Sequence, residues 1–221
     1  MKVLVIDIGG SNIKLLVTGQ LERIKIPSGS HFTPEHLVPL VQEATKSALW
    51  TYDVISIGFP GVVKHGKIVA DPVNMGKGWK GFDFEKAFAC PVKVINDAAM
   101  QALGSYEGGK LLFMGFGTGL GTAMVFEHLI LPLEGGHLPF KMGTFENHVG
   151  NAALAKLGKK KWKEMVYLTI QHFQHCFQPD QIVLGGGNSK YLDDLPANCR
   201  LGSNKNAFTG GFRLWEGSYT F

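Results

Sequence analysis

The chain has 221 residues, 22 Lys and Arg against 18 Asp and Glu for a net charge of +4, and 45% hydrophobic residues. That supports one large or two small packed domains and excludes a disordered chain, while the slight positive excess suits an anionic ligand without requiring one. Cys90, Cys176 and Cys199 lie far apart with no C-x-x-C spacing, so neither a disulfide framework nor a cysteine zinc site is indicated, and a reducing compartment fits.

A strand is expected almost at once, over Val3 to Asp7. That leaves no room for a signal peptide, and no apolar run reaches about 18 residues, so a cytoplasmic protein without a membrane span is expected. The stretch "VLVIDIGGSNIKLLV" continues through Gly9-Gly10-Ser11 into a second strand from Ile13 to Thr18, and a third follows over Leu21 to Ile26. Because this glycine turn joins strand to strand, it is neither a Walker A loop nor a Rossmann fingerprint, both of which run from strand into helix. It is either an ordinary hairpin or one that grips phosphate.

"TPEHLVPLVQEATKSALW" reads as a helix with Thr33 as cap, Pro34 at the first position, and a stripe of Leu37, Leu40, Val41, Ala44 and Ala48. "DVISIGFPGVV" is a buried strand ending in Gly58-Phe59-Pro60-Gly61, and "CPVKVINDAAMQALG" is a strand that runs into a helix. Asn96-Asp97 stands at that junction. Either residue could cap the helix, and a carboxylate at the carboxyl end of a strand could also accept a proton from a bound hydroxyl.

The plan restarts at Leu111 in "LLFMGFGTGLGTAMVF", where Gly115, Gly117, Gly119 and Gly121 alternate between two apolar strands. Such a series marks close backbone approach to another strand or to a phosphate. "LPLEGGHLPF" and "TFENHVGN" then supply Glu134, His137, Glu146 and His148. These are solvated loop groups or hydroxyl-binding ones, and the glycines of the first would let backbone approach a ligand; Glu146 could also be a first-turn acid. Lys156, Lys159, Lys160, Lys161 and Lys163 surround Trp162 on the next helix, as a solvated face or a polyanion contact, with no nucleic-acid motif beside them. A strand ending in Gly185-Gly186-Gly187 follows, and the segment 205–221 is expected to be a helix packed back on the first part. This organisation reads as α/β with mixed sheets flanked by helices, in lobes 1–98 and 99–204 joined by a hinge, with ligands between them.

Asp7-Ile8-Gly9-Gly10-Ser11-Asn12, Phe59-Pro60-Gly61-Val62-Val63, Asn96-Asp97, Gly117-Thr118-Gly119-Leu120-Gly121, Glu134-Gly135-Gly136-His137 and Gly185-Gly186-Gly187 occur in the order found in ROK-family sugar kinases. The chain resembles their polyphosphate glucokinase branch most. The resemblance implies a two-lobed actin-like ATPase (ribonuclease H-like) fold, Mg²⁺, and transfer of a phosphoryl group from polyphosphate or ATP to a hexose hydroxyl, glucose 6-OH first. It implies Asp97 as general base; Gly61, Asn74, Asn96, Glu134, His137 and Glu146 as sugar ligands; and Asp7 as a Mg²⁺ ligand through water. Gly9, Gly10, Ser11, Asn12, Lys14, Gly117, Thr118 and Gly119 would then hold phosphates, Gly185, Gly186 and Gly187 would border the far end of the donor, and the enzyme would be a homodimer that binds neither nucleic acid nor membrane.

Many members of the family carry a cysteine-rich zinc loop where this chain has "LPFKMGTFENHVG", so no structural zinc is expected. Two other readings stay open on the same fold: a sugar-binding regulator without turnover, and a kinase of an N-acylated amino sugar. The family's repressors place a DNA-binding helix-turn-helix before the first phosphate loop, and with six residues ahead of Asp7 none is expected here.

Overall fold

A computed structural model describes residues 1–203 and 205–221. It contains two five-stranded sheets with the same plan. In the first, β1 (Val3–Ile8), β2 (Asn12–Val17) and β3 (Ile24–Pro27) form an antiparallel meander, and β4 (Val54–Phe59) and β7 (Val92–Asn96) add in parallel on the other side of β1, giving the order β3-β2-β1-β4-β7. In the second, β8 (Lys110–Phe116), β9 (Leu120–Phe126) and β10 (Leu129–Leu133) form the meander, and β11 (Gln181–Gly185) and β12 (Cys199–Leu201) extend it in parallel, in the order β10-β9-β8-β11-β12. A small hairpin of β5 (Val63–Lys64) and β6 (Lys67–Ile68) stands beside the first sheet.

The burial pattern follows from these positions. β1 and β4 are central and buried at every residue, which is why they read as continuous apolar runs, whereas β2 alternates. The third strand starts at Ile24, later than the expected Leu21, because Leu21 is almost fully exposed and has no face to cover. Helix α1 (Pro34–Ser47) buries Leu37, Val41 and Thr45. Leu40 and Ala48 of the expected stripe instead face solvent, and the Thr45 hydroxyl is satisfied by donating to the Val41 carbonyl at 2.9 Å. The short helix α2 (Phe84–Phe88) lies outside the expected elements.

Helix α3 (Asp97–Ser105) follows the first sheet and α6 (Asn206–Arg213) follows the second, and the two pack on each other between the sheets. One core joins Val3, Val5 and Val54 of the first sheet to Leu111, Phe113, Val125 and Val183 of the second through these helices. The outer faces are covered separately, the first by α1 and Trp79, the second by α4 (Phe145–Val149) and α5 (Asn151–Phe177). The expected helix over 205–221 spans only Asn206–Arg213; beyond it Thr220 bridges Leu129 on the edge of β10, and its carbonyl accepts from the Ile130 amide at 2.9 Å. The long helix begins at Asn151, earlier than its lysine-rich stretch, and bends at Gly158, whose φ of 73° a residue with a side chain rarely adopts. No helix among the described residues is long and apolar enough to cross a membrane.

Candidate active site

Asp97 is the first residue of α3, carried to the carboxyl end of β7, where β4 and β1 also end. The Asn96 Oδ1 accepts the Ala99 amide at 3.1 Å and caps the helix, while its Nδ2 donates to the Gly61 carbonyl at 3.2 Å. Capping the Ala99 amide therefore falls to Asn96 and not to Asp97. Burial raises the Asp97 carboxyl to about 7, the Asp7 carboxylate adds to the shift, and Glu134 adds less, against the lowering effect of the Ala98 amide that donates to Oδ1 at 2.8 Å.

Asp7 is buried near the end of β1 and accepts from Lys14 Nζ at 2.8 Å. The antiparallel register places the two side by side, so Lys14 is here the partner of Asp7. Between them the β1–β2 turn is closed by the Gly9 amide donating to the Asn12 carbonyl and by the Ser28 hydroxyl donating to the Gly9 carbonyl. Among the described residues the amides of Gly10 and Ser11 have no protein acceptor, and a side chain at Gly10 would project into open space.

The second glycine hairpin is built differently from its sequence reading. Gly115 and Gly121 face each other across β8 and β9, where they make room for Phe113 and for Ala98 of α3. Only Gly117, Thr118 and Gly119 form the turn. Its carbonyls are engaged, since the Asn151 amide at the start of α5 donates to those of Gly117 and Thr118, while the Thr118 and Gly119 amides are left without a protein acceptor among the described residues. A side chain at Gly119 would strike the Glu146 carboxylate, which brings an expected sugar ligand against an expected phosphate loop.

Glu134, His137 and Glu146 come together. His137 lies between the two carboxylates, Nδ1 at 3.5 Å from Glu134 and Nε2 at 3.5 Å from Glu146. Thr122 anchors the loop by accepting the Gly135 amide and donating to the Leu133 carbonyl, both at 3.0 Å. Gly135 and Gly136 are buried against Phe173 and the Leu120 carbonyl, so these glycines serve close packing of the loop, in contrast to the approach to a ligand that their sequence context suggests.

A cleft of about 310 Å³ is lined by Gly61, Val63, His65 and Asn96 from the first half of the chain and by Pro132, Glu134 and Phe221 from the second. Gly61 lines it with its amide already donating to the Phe59 carbonyl and its own carbonyl accepting from Asn96 Nδ2. Asn74 is exposed on a surface loop, and among the described residues no hydrogen bond joins it to the other sugar-ligand candidates. Of the last glycine run, Gly186 has φ 80° and packs on the Phe116 backbone, Gly185 packs on Phe113, and only Gly187 is open. His65 and Phe221 carry no local motif, and only the folded chain brings them to the cleft.

Among the described residues no group of three or more His, Cys, Asp and Glu is arranged to hold a metal ion. A magnesium ion that keeps most of its waters needs fewer protein ligands. Two carboxylates close enough for one to raise the other suit such a cation.

The profile of the ROK family matches residues 3–139. The chain belongs to the ROK family. It is 29% identical over 209 residues to the polyphosphate glucokinase of Mycobacterium tuberculosis, covering 85% of this chain and 78% of that protein. Among solved structures it is similar to the inorganic polyphosphate/ATP-glucomannokinase of Arthrobacter sp. strain KM, with TM-score 0.80, 26% identity, and 95% and 96% of the two chains covered. It superposes equally, at TM-score 0.80 and 16% identity over 97% and 99% of the chains, on a ROK-family glucokinase from Streptomyces griseus solved with glucose and AMPPNP, a likeness that bears on fold alone. The architecture is that of the actin-like ATPase fold, two sheets flanked by helices.

Proposed function

We propose that the chain is a hexose kinase that transfers a phosphoryl group from polyphosphate or ATP to a sugar hydroxyl, with glucose 6-OH as the first acceptor to test. The observation that carries this reading is the placement of Asp97: a carboxyl raised to about 7, next in sequence to the cleft residue Asn96 and close enough to Asp7 and Glu134 to feel their charge, in a chain whose two glycine turns keep amides without a protein acceptor among the described residues. Phosphoryl transfer asks a protein mainly for positioning and for stabilising charge. Asp97 takes the hydroxyl proton as the oxygen attacks. Glu134, His137, Glu146 and the Asn96–Gly61 pair orient the sugar's other hydroxyls, and Asn74 has that role only if its loop closes over the cleft.

The amides of Gly10, Ser11, Thr118 and Gly119 face the donor's phosphate oxygens from two sides. A divalent cation accompanies the donor, and Mg²⁺ held by Asp7 through water would neutralise charge on the phosphates. Gly187 is the part of its glycine run left free for the donor. The relatives' names, polyphosphate glucokinase and polyphosphate/ATP-glucomannokinase, support this choice of donors and acceptor. A homodimer and a cytoplasmic location belong to the same reading.

The test is a coupled assay of purified protein with glucose, mannose and N-acetylated amino sugars, each with ATP and with polyphosphate. Hexose phosphate formed with either donor is the expected result. Turnover confined to amino sugars would favour the rival substrate class, and saturable sugar binding without turnover would favour a regulator.

A further inference from the structure

Building on the donor reading above, a second and larger cavity, about 610 Å³, lies away from Asp97 where α5 passes the segment that follows β11. Four lysines line it, Lys159, Lys160, Lys163 and Lys190, together with Tyr167 and Tyr191. Asp193 is engaged by Lys163 Nζ at 2.5 Å and by the Tyr167 hydroxyl, which donates to its carbonyl. Glu164 is the remaining acid, so Lys159, Lys160 and Lys190 outnumber it. The ammonium groups of Lys159 and Lys190 both stand over the ring of Tyr191, 4.5 and 5.0 Å from its centre. Two cations collected on one aromatic ring repel each other, and an anion between them relieves that repulsion.

The cavity is tied to the phosphate turn by a chain of short contacts. The Asn151 amide donates to the Gly117 carbonyl at 2.9 Å, and its Oδ1 accepts from Nδ2 of the buried Asn188 at 2.7 Å, two residues before Lys190. Lys159 lies eight residues further along α5, just past the bend at Gly158. A ligand that starts at Gly117–Gly119 and ends here must be extended and must carry negative charge along its length. Ammonium groups suit repeated phosphates, whereas a purine would call for an apolar slot with a few placed hydrogen-bonding groups.

We propose that this cavity is a distal donor subsite that holds the phosphate units of polyphosphate beyond those at the reacting end. Lys156 and Lys161, equally exposed and close in sequence, do not line it, Lys156 lying before the bend at Gly158. They supply a control with the same change of charge.

The test is equilibrium binding by titration calorimetry, without sugar or turnover, of long-chain polyphosphate, tripolyphosphate and ATP at two salt concentrations. K159E/K190E should weaken long-chain polyphosphate by about tenfold or more and flatten its salt dependence. Tripolyphosphate and ATP should bind as before, K159Q/K190Q should show a smaller loss in the same direction, and K156E/K161E should change long-chain binding much less. Equal loss in both Glu pairs, equal loss for ATP, or unchanged long-chain binding would overturn the proposal. Because binding is read directly, a protein that phosphorylates no hexose still answers the question, and failure of the kinase reading stays distinguishable from failure of the subsite.

Discussion

Asp97 occupies the first turn of a helix, where the dipole and the Ala98 amide favour the carboxylate, and yet its carboxyl is raised to about 7. Burial and the Asp7 charge outweigh the local preference, so the carboxyl ionises near neutrality, as the proposed base role requires. Asp97→Asn should preserve the fold and sugar binding, because Asn96 supplies the cap, and should lower kcat by a factor on the order of 10² to 10⁴. Near-normal turnover in that variant would remove Asp97 from the chemistry. In the wild type, kcat/KM should rise with pH through about 7 as the carboxyl ionises, and a flat profile there would contradict the base role. Stability should move the opposite way: the folded form keeps the proton up to about 7 while the unfolded form releases it near 3.8, so unfolding free energy falls as pH rises through that window. Chemical denaturation across the window should show that slope, and Asp97→Asn should reduce it.

The pairing of α3 with α6 holds the helix that begins at Asp97. Gly104 of α3 is packed against the Asn206 carbonyl, and Gly210 of α6 against the Met100 carbonyl, so the two helix backbones touch where any side chain would collide. Arg213 fastens the end of the pair by donating to the Leu103 and Tyr106 carbonyls at 2.9 and 2.8 Å, and Ser56 donates to the Gly211 carbonyl at 2.6 Å. Gly210→Ala should therefore lower stability by about 1–3 kcal/mol, the usual cost of forcing extra volume into a packed contact. Thermal unfolding is the measurement, and an unchanged Tm would show that the helices can part without cost.

The candidate acceptor cleft takes its walls from both halves of the chain, with Gly61, His65 and Asn96 on one side and Pro132, Glu134 and Phe221 on the other. A sugar bound there stabilises the assembled molecule by mass action, so saturating glucose, at about 100 times its Kd, should add about 3 kcal/mol to the unfolding free energy. A glucose-independent Tm would argue that this cleft is not the acceptor site. The sequence by itself determined the two repeated meanders, the helix starting at Pro34 and the β7–α3 junction that presents Asp97, because each depends on periodicity, caps and turns within a dozen residues. It also carried the six motifs whose order resembles the ROK family. Only the tertiary structure decided which glycines stay open and which are packed on protein: Gly117 is open while Gly121, Gly135 and Gly186 are pressed on neighbours distant in sequence. The same holds for Lys14, matched to Asp7 by strand register, and for Lys190, Tyr191 and Phe221, brought to cavities by chain crossings. The physical reason is range: turn chemistry and helix capping act between neighbours in sequence, whereas a cavity wall and a raised carboxyl are set by whatever packing brings within a few ångströms.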